Sequence, residues 1–269
     1  MITGINVVRN CIENGYPFAE AILSAYPMCS EYLVNDGGSI DGTIEALEAL
    51  AEIYSRIKIF HIPDRLNIRW DSVSSQINYM IRRAHGGVIF LGNADELIHE
   101  KDLLNVKEHA LHMMDDVLRF DRREIKHDWS GLGKEVYHPA RIAANYANIR
   151  QDWNAYGGDE FLYDHGWPDP NRKNRLNVTL YHLYNMFPAN RLNKLRNDAE
   201  HLAPGDRYRV KIYETYNDSS IKPFKHPQTV YEELPALAKG LPFMDRYYVR
   251  ECLYDVDWIE QVTNLSYSN

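Results

Sequence analysis

The sequence has few cysteines and no long apolar segment. Three cysteines occur in 269 residues, Cys11, Cys29 and Cys252, and their spacing matches no CxxC motif. Since three thiols cannot all pair within one chain, neither a disulfide framework nor a zinc ribbon is expected. No segment reaches the roughly 20 apolar residues of a membrane-spanning helix, and the amino terminus lacks the basic-then-apolar pattern of a signal peptide. These absences favour a soluble protein in a reducing, cytoplasmic environment.

The chain also lacks an excess of positive charge. Its 30 lysines and arginines are outnumbered by 38 aspartates and glutamates, which gives a net charge of −8. With this balance we do not expect nucleic acid or an anionic membrane to bind through a broad basic surface. The 45% of residues that are hydrophobic suffice for a sizeable core. We therefore expect one globular domain over residues 1–269.

Short apolar runs and helical patterns alternate through the first 100 residues. The runs INVV, EYLVN, IKIFHI and VIFL occupy residues 5–8, 31–35, 57–62 and 88–91. The segments between them carry apolar residues at helical spacing. This order predicts an α/β fold, with parallel strands joined by right-handed helical crossovers. The rhythm breaks after about residue 117, where strands are expected at 117–121 and 178–184 and a C-terminal helix near 245–256.

The segment VNDGGSIDGT, residues 34–43, follows the second predicted strand and precedes a predicted helix. The carboxyl ends of parallel strands face the ligand crevice of such a sheet, so we expect Asp36 to lie there. Gly37 and Gly38 allow the chain to turn sharply. A carboxylate at this point can accept hydrogen bonds from a base or a ribose. The alternative is a purely structural turn in which Asp41 caps the next helix.

A second acidic segment, LGNADELIHE at residues 91–100, follows the fourth predicted strand. Asp95 and Glu96 come where the chain leaves the sheet, and a carboxylate there can hold a divalent cation against a diphosphate. One acidic residue at a strand end is weak evidence. Two such segments at two strand ends of one sheet would face the same crevice, and together they favour a nucleotide site with a cation.

These segments resemble those of the family 2 glycosyltransferases of the GT-A fold. In that family one strand ends in a DGGSxDGT-like turn and a later strand ends in DxD or its variant ADE. The equivalents in this sequence are Asp36–Thr43 and Asn93–Glu96. The opening VVRNCIENG is similar to the family's first strand and its NE pair, with Asn10 and Glu13 as the nearest equivalents. The resemblance covers residues 1 to about 100.

The resemblance implies a GT-A, Rossmann-like sheet with helices on both faces and an elaborated C-terminal half. It divides the domain into a nucleotide-sugar-binding half, residues 1–115, and an acceptor-binding half, residues 116–269. The implied reaction moves a sugar from a UDP- or GDP-linked donor to a hydroxyl of a carbohydrate or glycan acceptor, with inversion. The residues expected to bind the donor are Val8, Arg9, Asn10, Glu13, Asp36, Gly37, Asn67, Gln76, Asn93 and Ala94.

The resemblance also implies that Asp95 binds Mn²⁺ or Mg²⁺ as a cofactor. Asn93 stands where the family has the first acid of DxD, so the metal must depend on Asp95 and on ligands from elsewhere. His182, in a predicted strand of the second half, is the expected distant ligand; the alternative is a histidine that is buried for packing. A second departure from the family is Ser75-Gln76 in place of an Arg-Asn pair.

The string GGDEF at residues 157–161 is the signature of diguanylate cyclases, but its surroundings do not match that family. The upstream segment LRFDRREIKHD keeps Asp121 and has Arg123 where a second acid belongs. The LTGL signature of the cyclases is absent. A cyclase domain would also leave the first 100 residues without a role. A motif counts only in its context, so the cyclase interpretation is disfavoured.

In a transferase the same string would lie on the acceptor side of the crevice. Asp159 or Glu160 is then the expected base that removes the acceptor proton, with Asp152 as the nearest rival. Trp153 and Tyr156 offer flat apolar faces on which an acceptor ring can stack. The structural alternative is a surface turn whose acidic side chains are solvated.

Two other functions are compatible with these motifs. One is a catalytically inactive GT-A-fold protein that binds its ligand without turning it over. The other is a nucleotide-processing enzyme such as a cyclase or a nucleotidyltransferase. The latter is disfavoured because the first strand is followed by RNCIENG and not by the glycine-rich, arginine-containing turn that holds a triphosphate.

Overall fold

A computed structural model describes residues 1–62, 69–113, 117–125, 132–145, 149–152, 160–162 and 175–183. Within these ranges the strands are β1 (Ile2–Val8), β2 (Glu31–Asp36), β3 (Ile57–His61), β4 (Val88–Leu91), β5 (Glu96–Ile98), β6 (Val117–Ile125), β7 (Leu132–Tyr137), β8 (Ala140–Ala144), β9 (Arg150–Asp152), β10 (Glu160–Leu162) and β11 (Arg175–His182). The helices are α1 (Phe18–Ala25), α2 (Thr43–Ile53), α3 (Arg69–Ile81) and α4 (Leu103–Leu111). No helix in these ranges is long and apolar enough to span a membrane.

One mixed sheet runs through both halves of the chain, in the order β3-β2-β1-β4-β8-β6-β11-β5, with β7 paired to β6. The first four strands in this order are parallel, and β8 then runs antiparallel to both β4 and β6. The carboxyl ends of β1, β2, β4, β6 and β11 therefore lie at one edge of the sheet. The predicted α/β class and the four parallel strands of the first half are confirmed.

Helices cover both faces of the sheet, as predicted. Strand residues alternate between the faces. In β2, Tyr32 and Val34 belong to one apolar cluster and Leu33 to the other. The first cluster takes in residues of α1, α2 and α4, and the second takes in Ile77 and Met80 of α3. Because these strands are buried on both faces, they form continuous apolar runs in the sequence.

The second half of the sheet curls over the face that carries α1. Residues 92–95 connect β4 to β5, yet the two strands lie at different points of the strand order, separated by β8, β6 and β11. The backbone N–H of Ile98 in β5 donates to Ser24 Oγ of α1 at 3.2 Å. The short connection and this contact bring β5 back across the helix. The curl was not predicted, because β5, β7 and β8 are short and carry no clear alternation.

The strands predicted in the second half lie close to their observed positions. The strand expected at 117–121 is longer, Val117–Ile125, and the one expected at 178–184 is Arg175–His182. The predicted helix near 245–256 lies outside the described residues. The division of the chain at residues 115 and 116 stays a prediction.

Candidate functional site

The loops after β1 and β2 lie side by side at the carboxyl edge of the sheet. Val8 is in register with Asp36, and the N–H of Gly37 donates to the carbonyl of Val8 at 2.8 Å. The backbone of Asn10 has φ 47°, in the left-handed region that asparagine tolerates better than most residues.

Side chains of the two loops hold each other's backbone. The N–H of Asn10 donates to Ser39 Oγ at 2.9 Å, and Asn10 Oδ1 accepts from the N–H of Ile40 at 2.9 Å. Further along, Thr43 Oγ1 accepts from the N–H of Cys11 at 2.9 Å. Residues 9–13 and 37–43 therefore form one hydrogen-bonded layer, which the sequence did not indicate.

Asp41 completes this layer. One of its oxygens accepts from the N–H of Glu13 at 2.7 Å, and the other accepts from the N–H and the hydroxyl of Thr43 at 3.1 and 2.6 Å. The expectation that Asp41 caps α2 is wrong, because Gly42 occupies the cap position and makes no side-chain bond there. Asp41 stands one residue earlier and binds the first helical residue, Thr43.

The carboxylate of Asp36 binds its own loop. It accepts from the N–H of Gly38 at 3.0 Å, from the N–H of Ser39 at 3.0 Å, and from the Ser39 hydroxyl. Asp36 is only 5% exposed. The predicted structural role of this turn is therefore present, and the predicted contact of Asp36 with a base or ribose stays a prediction.

Three of the residues expected to bind the donor converge beside this loop. A Cβ placed on Gly37 would lie 3.4 Å from Arg9 Cβ and 3.4 Å from Gln76 Oε1. Gln76 is buried on α3, and its Oε1 accepts from Asn35 Nδ2 at 2.5 Å. The sequence analysis did not single out Asn35, which is fully buried. Its signal in the sequence is an amide side chain within an apolar run, since a buried amide needs hydrogen-bond partners.

Asp95 and His182 meet at the same edge of the sheet, as the metal prediction requires. The distance from His182 Nε2 to Asp95 Oδ2 is 3.3 Å, and both side chains are buried. Strand pairing places His182 opposite Glu96, and the N–H of Leu183 donates to the carbonyl of Asp95 at 2.8 Å. The curl of the sheet thus joins residues that are far apart in the sequence.

The donor atoms of this pair suit a divalent cation in part. A carboxylate oxygen and an imidazole nitrogen are ligands that Mn²⁺ accepts, whereas Mg²⁺ prefers oxygen alone. Within the described part of the chain no group of three His, Cys, Asp or Glu side chains is placed to hold a metal ion. Among the described residues, Asp95 and His182 are thus a pair of candidate ligands and not a complete cation site.

Glu96 has both carboxylate oxygens bound by an arginine and is not a candidate metal ligand. Arg141 donates to both of its oxygens, from Nε at 2.7 Å and from Nη2 at 2.8 Å, and Arg122 lies 3.4 Å away. Burial raises the pKa of Glu96, but the charge and the hydrogen bonds of Arg141 outweigh it and hold the pKa below its ordinary value. Glu96 is thus an ionised partner of two arginines.

The thiol of Cys11 shows that the two acidic segments face the same region. Burial raises the pKa of Cys11 well above its ordinary value, although a backbone hydrogen bond at Arg9 lowers it. The negative charges of Asp41, Asp95 and Asp36 raise it further. Carboxylates from both segments therefore act on one buried thiol. This supports the expected common crevice and makes Cys11 an unreactive thiol.

The remaining donor residues lie at or near these strand ends. The side chain of Val8 packs in the first apolar cluster, and the partly buried Ala94 packs against that cluster. The carbonyl of Asn93 accepts from the N–H of Glu96 at 3.4 Å. Asn67 lies outside the described residues.

The acceptor-side residues are described only in part. β9 and β10 form an antiparallel pair in which Glu160 stands directly opposite Asp152. Two of the three predicted base candidates are thus register partners, at the end of β9 and the start of β10. Asp159, Trp153 and Tyr156 lie outside the described residues.

No protein-family model matches this chain, and no curated protein sequence matches it. Solved structures do. A structure of residues 1–349 of TarS from S. aureus matches 97% of this chain and 89% of its own, with 11% identity and a TM-score of 0.44. A longer TarS structure matches 97% of this chain and 54% of its own, with 12% identity and a TM-score of 0.46. Glucosyl-3-phosphoglycerate synthase from Mycobacterium tuberculosis, in complex with Mn²⁺, UDP and glucosyl-3-phosphoglycerate, matches 54% of this chain and 57% of its own, with 13% identity and a TM-score of 0.37.

Proposed function

We propose that this chain is a glycosyltransferase of the GT-A type, which moves a sugar from a nucleoside diphosphate to an acceptor hydroxyl. The observation that carries the proposal is that the Asp36 loop and the Asp95–His182 pair both lie at the carboxyl edge of one sheet. A nucleotide-sugar transferase needs these two elements together, one for the nucleoside and one for the diphosphate. Parallel strands with their carboxyl ends at that edge provide the crevice between them.

The layer formed by residues 9–13 and 37–43 is the proposed nucleotide platform. Its internal hydrogen bonds hold the backbone in place before a ligand arrives, which lowers the entropy cost of binding. Arg9 and Glu13 are exposed on this layer and can reach a ligand. The proposed donor contacts are those expected from the sequence, with UDP or GDP as the nucleotide.

Asp95 and His182 are the proposed protein ligands of Mn²⁺ or Mg²⁺. A bound cation would stabilise the negative charge that develops on the leaving diphosphate. The protein's own contribution is to keep the Asp95 carboxylate and the imidazole 3.3 Å apart in a buried position. Because the pair and the platform lie at the same edge of the sheet, one nucleoside diphosphate could contact both.

The acceptor is proposed to bind on the side of the β9–β10 hairpin. Asp159, Glu160 and Asp152 remain the proposed bases, and Trp153 and Tyr156 the proposed stacking surfaces. A base in this position removes the proton of the attacking hydroxyl, a contribution of typically 10²–10⁴-fold to the rate. The register of Asp152 and Glu160 supports treating them as alternatives at one place in space.

The metal assignment is tested with Asp95→Asn, which keeps the shape of the side chain and removes its charge. In the presence of Mn²⁺ we expect the parent protein to bind UDP or GDP. Most of this affinity should be lost when EDTA removes the cation, and also in the variant, which lacks a carboxylate ligand for the cation. Isothermal titration calorimetry measures the affinity, and donor hydrolysis measures turnover. Asp102→Asn, in a short turn that follows β5, is the matched control.

Equal affinity with and without metal, together with normal turnover of Asp95→Asn, would contradict the assignment. Nucleotide binding without any hydrolysis or transfer would favour the inactive binding protein. Formation of a cyclic dinucleotide from GTP would replace the transferase with a cyclase.

A further inference from the structure

A buried ion pair crosses the inside of the curled sheet next to the Asp95–His182 pair. Arg141 of β8 is fully buried, and its guanidinium binds both oxygens of Glu96 at the start of β5. The Glu96 side chain is 1% exposed. The two-bond geometry defines both the distance and the orientation between the two groups.

The pair joins strands that are not neighbours. β6 and β11 separate β8 from β5 in the strand order. In a flat sheet three strand spacings amount to about 14 Å, and side chains stand roughly perpendicular to the plane. Direct contact between Arg141 and Glu96 therefore requires the curl, and the contact in turn ties its two ends together.

The position of Asp95 depends on this connection. Asp95 is the residue before Glu96, and its carbonyl accepts from the N–H of Leu183. Glu96 is in register with His182. The chain at Asp95 is thus held on one side by β11 and on the other by the Glu96–Arg141 pair.

Stability alone does not account for such a pair. Replacing both members of a buried ion pair with apolar residues of similar volume is often neutral or stabilising, because the cost of desolvating two charges disappears. What the apolar replacement cannot reproduce is the two-bond geometry. An arginine and a glutamate at these positions are therefore better explained by the precise placement of the chain beside them.

We propose that Arg141 is a positioning residue, which places the Asp95 carboxylate opposite His182 by binding Glu96. This role rests on the proposed function, in which Asp95 and His182 hold the cation. The guanidinium of Arg141 binds the Glu96 carboxylate, and its effect on Asp95 passes through Glu96.

The test uses the double variant Glu96→Leu/Arg141→Met, which removes both charges and keeps similar volumes. Two signals are measured besides the melting temperature. One is the Mn²⁺-dependent affinity for UDP, and the other is the ¹⁵N NMR signal of the His182 ring, which reports its contact with Asp95 without any metal. Arg119→Met is the matched control, because Arg119 is a buried arginine of the neighbouring β6 that donates to the carbonyl of His138 at 2.9 Å.

We expect the double variant to lose about 10- to 100-fold in Mn²⁺-dependent affinity, the usual effect of removing a partner that orients a metal ligand. Its His182 signal should move as it does in Asp95→Asn, while its melting temperature stays near that of the parent. The control should keep both the affinity and the His182 signal.

A folded double variant with unchanged affinity and an unchanged His182 signal would overturn the positioning role. If the parent protein shows no Mn²⁺-dependent binding, the proposed function fails, and the His182 signal still decides the role of Arg141. If the double variant does not fold, Arg141→Lys replaces it: the charge is kept and the two-bond geometry is lost. Unchanged signals in that variant would overturn the role as well.

Discussion

At the scale of single residues, several polar side chains at the site are already used by the protein itself. The carboxylate of Asp36 holds the turn that follows β2, and Asp41 holds the loop that follows β1. Glu96 is occupied by Arg141. An acidic residue at a strand end therefore has one of two tasks, to shape the loop or to meet the ligand, and its motif alone does not separate them.

Asp36 allows the two tasks to be separated. Asp36→Ala removes the acceptor of the Gly38 and Ser39 amides, so we expect faster hydrogen exchange at residues 37–40 and weaker nucleotide binding. Asp36→Asn keeps one oxygen that can accept these bonds, so the loop should stay protected. Hydrogen exchange by mass spectrometry and calorimetry measure the two effects.

If Asp36 contacts the nucleotide, Asp36→Asn should still bind it more weakly than the parent. If Asp36 only shapes the turn, the asparagine variant should bind as the parent does. Normal protection of residues 37–40 in the alanine variant would contradict the role in the turn.

At the scale of elements, the site depends on close packing of side chains from β1 and β2 against the residue that follows β4. The hydroxyl of Tyr32 in β2 donates to Asn6 Oδ1 of β1 at 2.7 Å, and both residues are fully buried. Gly92 follows β4, and its N–H donates to the carbonyl of Ile5 at 2.9 Å. Gly92 thus begins the segment that leads to Asp95.

Gly92 should tolerate no side chain. A Cβ at this position would lie 2.2 Å from Asn6 Oδ1 and 3.0 Å from the Tyr32 hydroxyl. We expect Gly92→Ala to lower the free energy of unfolding by about 1–3 kcal/mol, as overpacked core variants do. Urea denaturation measures this free energy of unfolding.

Gly87→Ala is the control for this prediction, since a Cβ at Gly87 would meet no atom within 4 Å. Its free energy of unfolding should change by less than about 1 kcal/mol. Equal stability of the two alanine variants would show that the end of β4 has room for a side chain.

At the scale of the whole molecule, charge is also organised at the opposite edge of the sheet. Glu31 begins β2, and it accepts from Thr3 Oγ1 at 2.9 Å, from Lys58 Nζ at 3.1 Å, and from the N–H and the ring of His85 at 2.6 and 3.0 Å. Burial raises the pKa of Glu31, but these bonds outweigh it and lower the pKa to about 2. The cluster ties β1, β2 and β3 to the residues that precede β4.

The depressed pKa of Glu31 predicts acid sensitivity. Its contribution to stability, at most about 3 kcal/mol, is fully present above the ordinary glutamate pKa of about 4.5 and is lost as the pH falls towards about 2. The difference in unfolding free energy between the parent and Glu31→Gln should therefore shrink over this interval. Urea denaturation from pH 7 to pH 2.5 measures it.

Glu48→Gln, on the exposed side of α2, serves as the control. A difference for Glu31→Gln that stays constant between pH 5 and pH 2.5 would contradict the role of this cluster.

The first four strands, their parallel pairing and the two strand-end motifs were predictable from the sequence alone, whereas their order in the sheet was not predicted. Apolar runs that alternate with helical spacing leave few arrangements, and parallel strands bring their carboxyl ends to one edge. Asp36 and Asp95 could be placed at that edge because each follows such a run directly. Local pattern was sufficient here because an apolar run, a helical spacing and the residue that follows a run are all properties of consecutive residues.

The tertiary structure alone decided which residues meet across the sheet. Nothing in the sequence near Glu96 indicates that Arg141 will bind it, and the 3.3 Å approach of His182 to Asp95 was a hypothesis until β11 was placed beside β5. Likewise, the use of Asp36 and Asp41 as loop acceptors depends on how the two loops pack. These contacts join distant segments through a curl formed by short, irregular strands, and such strands carry too little periodicity to reveal their partners.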